Sequence, residues 1–176
     1  MRQRIHDLWG AFQPALAGAV LLLFTACGEP QKTVLALEPT DATVCALDGM
    51  LLTDFPGPKA QIHYDTGDPD FFCDTMEMLS IYLRPEQQKR VTAVYTQDMA
   101  QTDWNKPSGH WIDARAAFYV LGSDMKGSMG PTAASFARAE DAQAFAKAHG
   151  GKVLRFDEIT PAMVSLDGGV LHDQNM

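Results

Sequence analysis

The chain is poor in cysteine, in positive charge and in long apolar runs, and each shortage removes a class of protein. It has three cysteines, none in a C-x-x-C pair, which weakens a thioredoxin-like redox reading. Its 14 Lys and Arg stand against 22 Asp and Glu, a net charge of −8, so a nucleic-acid backbone is not an expected partner. The apolar run near the N-terminus, Ala15 to Ala26, is about a dozen residues, short of the roughly 20 a spanning helix needs. What is there suits one compact unit or two small ones: 46% of residues are hydrophobic and 20% charged, which is not a disordered composition.

The N-terminus has the form of an export signal. Arg2 and Arg4 precede the apolar run, which ends in Phe24-Thr25-Ala26-Cys27-Gly28. Small residues before a Cys resemble a lipoprotein signal, in which residues 1–26 are removed and Cys27 becomes the lipidated first residue. The plainer alternative is an ordinary signal peptide cleaved near Ala26, with Cys27 free. With Cys27 lipidated, Cys45 and Cys73 remain in an oxidising compartment. They are then a disulfide, two ligands, or one ligand and one buried residue.

The stretch Cys45-Ala46-Leu47-Asp48-Gly49-Met50 carries the chemistry. It sets a thiol and a thioether five positions apart, with a glycine that lets the backbone turn. Soft sulfur donors select Cu(I) over harder divalent ions. Asp48 adds a carboxylate, with plain turn chemistry beside Gly49 as its alternative role.

Around that stretch the patterning predicts an α+β fold. Residues 27–40, with two prolines and no period, read as a flexible tether. Residues 41–108 read as a first ββαβ unit: a hairpin opened by Met50 to Thr53, a strand over Ala60 to Tyr64, a helix over Phe71 to Leu83, and a strand over Val91 to Tyr95. Residues 109–160 repeat the order, with strands over Ala117 to Val120 and Thr132 to Ala137, a helix over Glu140 to His149 stopped by Gly150-Gly151, and a strand over Lys152 to Phe156. Residues 161–176 read as a mobile tail. The shared order suggests an internal pseudo-repeat, which would let Met129, in the glycine-rich turn of the second unit, approach Met50 of the first.

Several stretches carry a resemblance: Cys45 to Met50, Pro56-Gly-Pro-Lys-Ala-Gln-Ile62, Trp111 to Val120, Gly127-Ser-Met-Gly130, and His149 to Glu158. In this order they resemble the NosL family, from the lipidation Cys to about Pro161. The resemblance implies a non-enzymatic Cu(I) metallochaperone, anchored by lipid at the periplasmic face of the inner or outer membrane. Its implied partners are a membrane transporter maturation complex and nitrous oxide reductase, whose copper centres it helps assemble. It also implies two ββαβ units, similar to the core of organomercurial lyase, and a metal set of Cys45, Met50 and Met129. Many family members have a second Cys where this chain has Asp48, which leaves thiolate plus thioethers as the implied donors and Asp48 as an oxygen for a harder second ion.

Other residues compete for the site. His63 and His110 offer imidazoles, and Met125 is an alternative thioether to Met129. Cys73, Met76 and Met78 fall on the predicted helix, where offsets of three and five do not share one face and packing is the better reading. His172 and Met176 lie in the tail, away from the site. The competing function is a thiol–disulfide redox lipoprotein using Cys45 and Cys73. A lyase activity would rest on fold analogy alone.

Overall fold

A computed structural model describes residues 34–84, 86 and 89–166. The expected signal peptide, Cys27, the first part of the expected tether and the last ten residues, including His172 and Met176, lie outside the described residues. Among the described residues no helix is long and apolar enough to cross a membrane.

The first group of elements is β1 (Ala60–Tyr64), β2 (Asp70–Phe72), α1 (Thr75–Tyr82), β3 (Val91–Gln97) and β4 (Trp111–Asp113). Its four strands form an antiparallel sheet in the order β2-β1-β3-β4. The second group is β5 (Phe118–Leu121), a short hairpin of β6 (Lys126–Gly127) and β7 (Gly130–Pro131), then β8 (Ala134–Phe136), α2 (Ala139–His149) and β9 (Lys152–Arg155). Here the sheet order is β8-β5-β9, also antiparallel. The mixed helix-and-sheet class is the expected one. In both groups the first long strand is central, flanked by the strand before the helix and the strand after it.

Strand β1 is buried along its whole length, so it lacks the alternation of a half-exposed strand. On one face Ile62 joins the main core with Phe72, Met78 and Leu79. The other face carries Gln61 and His63, and the stretch expected to be a flexible tether is held against it over residues 34–38. Gln61, fully buried, accepts from the Leu37 N–H and donates to the Leu37 carbonyl, both at 2.9 Å. Tyr95 donates its hydroxyl to the Val34 carbonyl. Glu38 accepts from the Gly109 N–H at 2.9 Å and from the Trp111 indole at 2.7 Å. The buried side-chain amide needs partners, and an extended backbone supplies both.

Three other expectations change. Met50 to Thr53 makes only an isolated bridge, Val44 to Leu51, and a 3-10 turn over Leu52–Asp54; the hairpin is β1–β2 instead. The first helix begins at Thr75, because Phe71 and Phe72 pair with β1 and Asp74 caps the helix by accepting from the Glu77 N–H at 3.1 Å. Pro161–Val164 is a 3-10 turn whose Val164 is buried in the main core, so the expected mobile tail begins with an anchored segment.

Helix α2 matches its sequence signals, with Glu140 and Asp141 in its first turn and two glycines at positive φ beyond its end. Gly151 has φ +92°, and a Cβ there would lie 2.7 Å from the Leu121 carbonyl. Gly151→Ala is expected to destabilise the fold by about 1–3 kcal/mol, read as a lower urea midpoint at unchanged m-value; an unmoved midpoint would show that the β5–β9 contact yields freely.

Candidate metal centre

The loop carrying Cys45 is closed by its own backbone. The Cys45 N–H donates to the Met50 carbonyl at 2.8 Å, and the Gly49 N–H donates to the Cys45 carbonyl at 2.9 Å. Gly49 sits at φ +77°, a conformation that suits glycine. Asp48 Oδ1 accepts from the Met50 N–H at 3.0 Å, the turn role expected of an Asp beside Gly. The Ala46 N–H donates to the Phe71 carbonyl at 2.7 Å, which pins the loop to β2. Cys45 points inward and is 2% exposed.

Cys73 meets it from the end of β2. It lies just before the Asp74 cap, and Glu77 lies three residues after that cap. This is the D-x-x-E spacing of a capping box, in which the acidic side chain turns back toward the helix start. Here it reaches one residue further: Glu77 Oε2 accepts from the Cys73 N–H at 3.1 Å. The same oxygen lies 3.0 Å from Cys45 Sγ. One donor atom each from Cys45, Cys73 and Glu77 falls within 4.8 Å of the others, the one such His/Cys/Asp/Glu group among the described residues. Both cysteines are free thiols, so the half-cystine alternative is not the state seen.

Proton positions in this cluster are displaced from the ordinary. The Cys73 thiol donates to the Cys45 sulfur and holds Cys45 down at about 6, although burial pushes it the other way. Burial lifts Glu77 to about 8, opposed by a hydrogen bond from Ser128. Cys45 Sγ donates to Glu77 Oε2, and the contact pulls the two groups toward each other, the thiol downward and the carboxyl upward. The same contact with Cys45, with burial added, pushes Cys73 far up, so it stays a thiol. Lys59, 3% exposed, donates its ammonium to the Cys73 carbonyl at 2.9 Å and the Phe55 carbonyl at 2.7 Å, a cation close behind the thiols.

The two expected methionine donors are exposed, Met50 at 44% and Met129 at 51%. Each is tied to the cluster through a neighbouring atom. The Met50 carbonyl accepts from the Cys45 N–H and lies 3.8 Å from Cys73 Sγ. Met129 occupies the tip of the β6–β7 hairpin beside Ser128, whose hydroxyl donates to Glu77 Oε1 and, at 2.8 Å, to Asp74 Oδ2.

The other candidates are elsewhere or otherwise employed. His63 Nε2 is 2.7 Å from Gln61 Oε1 and its ring meets Tyr95 edge-on. His110 is exposed at φ +53°, its carbonyl accepting from the Asp98 N–H at 2.9 Å. Met125 is half-buried before β6, and Met78 is fully buried in the core, as the packing reading expects. Sequence reasoning missed Cys73 and Glu77 as a pair. The available signal was the Asp74-x-x-Glu77 spacing, which starts the helix after Cys73 and turns the carboxyl back toward it.

The ordinary values are 4.5 for the Glu77 carboxyl and 9.0 for the Cys45 thiol; folding moves them to about 8 and about 6. The Glu77 contribution to stability is full below its unfolded value and lost as pH rises to about 8. The Cys45 contribution is full above its unfolded value and lost as pH falls to about 6. Unfolding free energy of the reduced protein should fall from pH ~4.5 to ~6, level off while the slopes oppose, then rise toward pH ~9. Glu77→Gln is expected to abolish the acid-side fall, a slope change of about one proton, in urea unfolding at stepped pH; an unchanged slope there would mean Glu77 is ionised in the fold.

A sequence profile described as NosL matches residues 36–164. A copper-binding lipoprotein NosL from Stutzerimonas stutzeri is 46% identical over 165 residues, covering 88% of this chain and 86% of that protein. One of the same description from Achromobacter cycloclastes is 38% identical over 155 residues, covering 85% and 80%. The crystal structure of the copper chaperone NosL from Shewanella denitrificans superposes with a TM-score of 0.68 at 41% identity, covering 76% of this chain and 99% of that one.

Proposed function

The chain belongs to the NosL family, and on that footing we propose that it is a non-enzymatic Cu(I) carrier whose cargo binds at the Cys45 thiolate. The observation that carries this reading is a buried cluster of the Cys45 and Cys73 sulfurs and the Glu77 carboxyl, between two loops that each present an exposed methionine. Met50 and Met129 supply the thioethers. Such a donor set is soft throughout and suits Cu(I). One thiolate with thioethers leaves the ion open to an incoming ligand, so copper passes to an acceptor without being released. Asp48, already engaged with the Met50 N–H, is left as an oxygen donor for a harder second ion.

The acceptor we propose is nitrous oxide reductase, reached through its membrane transporter maturation complex, and the family resemblance supports this. Val44, Leu47, Met50 and Leu51 on and beside the Cys45 loop, and Met129 at the hairpin tip, are each at least 36% exposed and offer such a partner apolar contacts. Lipidation of Cys27 holds the carrier at the periplasmic face of the membrane, in keeping with relatives described as lipoproteins. A second reading, thiol–disulfide exchange, is favoured by the proximity of the Cys45 and Cys73 sulfurs.

Anaerobic Cu(I) titration of the reduced protein against a competing chelator tests the proposal. The wild type is expected to bind one copper tightly, and Cys45→Ser to lose on the order of 100-fold or more in affinity. Because the thiolate forms at about 6, wild-type affinity should be flat above that pH and fall about tenfold per unit below it. Wild-type affinity in Cys45→Ser would remove the carrier reading. A reversible Cys45–Cys73 disulfide with no copper binding would install the second one.

A further inference from the structure

The hairpin that carries Met129 is too small to hold itself. It has two residues per strand, with pairs Lys126 to Pro131 and Gly127 to Gly130, and a two-residue tip of Ser128 and Met129. Even a longer isolated hairpin is marginal in water. Its position therefore comes from what it touches. The stalk is held from one side: the Trp104 indole N–H donates to the Lys126 carbonyl at 3.0 Å, and Gly127 lies against Gly57. The tip is held separately, by Ser128. Its N–H donates to Asp74 Oδ2 at 3.1 Å and its hydroxyl is shared between that oxygen and Glu77 Oε1. The approach is close enough that a Cβ on Gly127 would stand 2.5 Å from Asp74 Oδ2 and 2.8 Å from the Thr132 Cβ.

We infer that Ser128 is the positioning residue for Met129: by fastening the hairpin tip to the acidic start of α1, it holds the loop that bears the thioether beside the Cys45–Cys73–Glu77 cluster. The inference rests on the Cu(I) reading and deepens it. Met129 is half exposed at the tip of a two-residue turn. In a turn that short the backbone directions of the two residues are coupled, so fixing one fixes the other. Ser128 reaches two acidic side chains at once, Asp74 through its N–H and hydroxyl and Glu77 through its hydroxyl. Removal of the hydroxyl leaves the stalk contacts of Trp104 and Gly57 and the N–H bond to Asp74 in place, so the hairpin stays docked while its tip loses its hold on Glu77.

The test is a double-mutant cycle on Cu(I) affinity, by anaerobic competition, with wild type, Ser128→Ala, Met129→Leu and the double variant. Supporting groups around a metal are worth roughly 10- to 100-fold in affinity. Ser128→Ala and Met129→Leu are each expected to lose about tenfold, and the double variant no more than either alone, because each removes the same thioether. Ser128→Thr, which keeps the hydroxyl, is expected to restore affinity to within about threefold of wild type. A structural effect is read separately from the urea midpoint, which should move little in Ser128→Ala. Multiplying losses in the double variant would mean that Ser128 acts through Glu77 and Cys45 rather than Met129, and would overturn the inference. So would wild-type affinity in Ser128→Ala. No binding by the wild type would instead overturn the Cu(I) reading itself.

Discussion

The structure around the site depends on one buried carboxyl. Glu77 takes the Cys73 N–H and the Ser128 hydroxyl and shares a proton with Cys45. Those partners come from the end of β2, the β6–β7 hairpin and the loop before the first sheet. A carboxyl buried this fully is costly to ionise. The contacts with the Cys73 thiol and the Glu77 carboxyl both lower the Cys45 thiol, against its burial.

That arrangement suits a carrier better than a permanent metal site. Two ionised thiolates would hold copper strongly and give it up slowly. In the metal-free protein burial and the Cys45 contact push the Cys73 thiol up, so the two sulfurs are not ionised together. The remaining donors proposed for copper, Met50 and Met129, are neutral and lie at the surface, within reach of the proposed partner. The same exposure that makes them poor core residues makes them suitable exchange ligands, since a thioether loses little by facing an apolar partner surface. Asp74 completes the economy of the site: one oxygen caps α1 and the other fastens Ser128, so the helix start and the hairpin tip share a single side chain.

Much of the fold was legible from local pattern. The signals for α2 are acidic residues at its start and paired glycines at its end, and both act within a few positions of the helix. β1, β3, β5 and β9 fall where short apolar and β-branched runs stand between turn residues. The failures have a common cause in contacts from outside the segment. Phe71 and Phe72 look helical by spacing, yet pairing with β1 claims them. Residues 34–38 have no period, yet a buried Gln61 amide orders them. Val164 stands in a stretch without pattern, yet the core takes it.

The sequence by itself determined the chemistry of the centre: the Cys45 to Met50 turn, its soft donors and the glycine that closes it are all local. The Asp74-x-x-Glu77 spacing that turns Glu77 back is local too, but pairing of Phe71 and Phe72 with β1 was needed to start the helix there and leave Cys73 before it. Only the tertiary structure decided that these meet. Cys45 and Glu77 are 32 positions apart, and Ser128 and Glu77 are 51 apart. Periodicity and propensity carry no information over such separations, because they report the conformation of one segment at a time. Sheet pairing and core packing bring the segments together, and with them the proton balance that makes Cys45 the thiolate and Cys73 its donor.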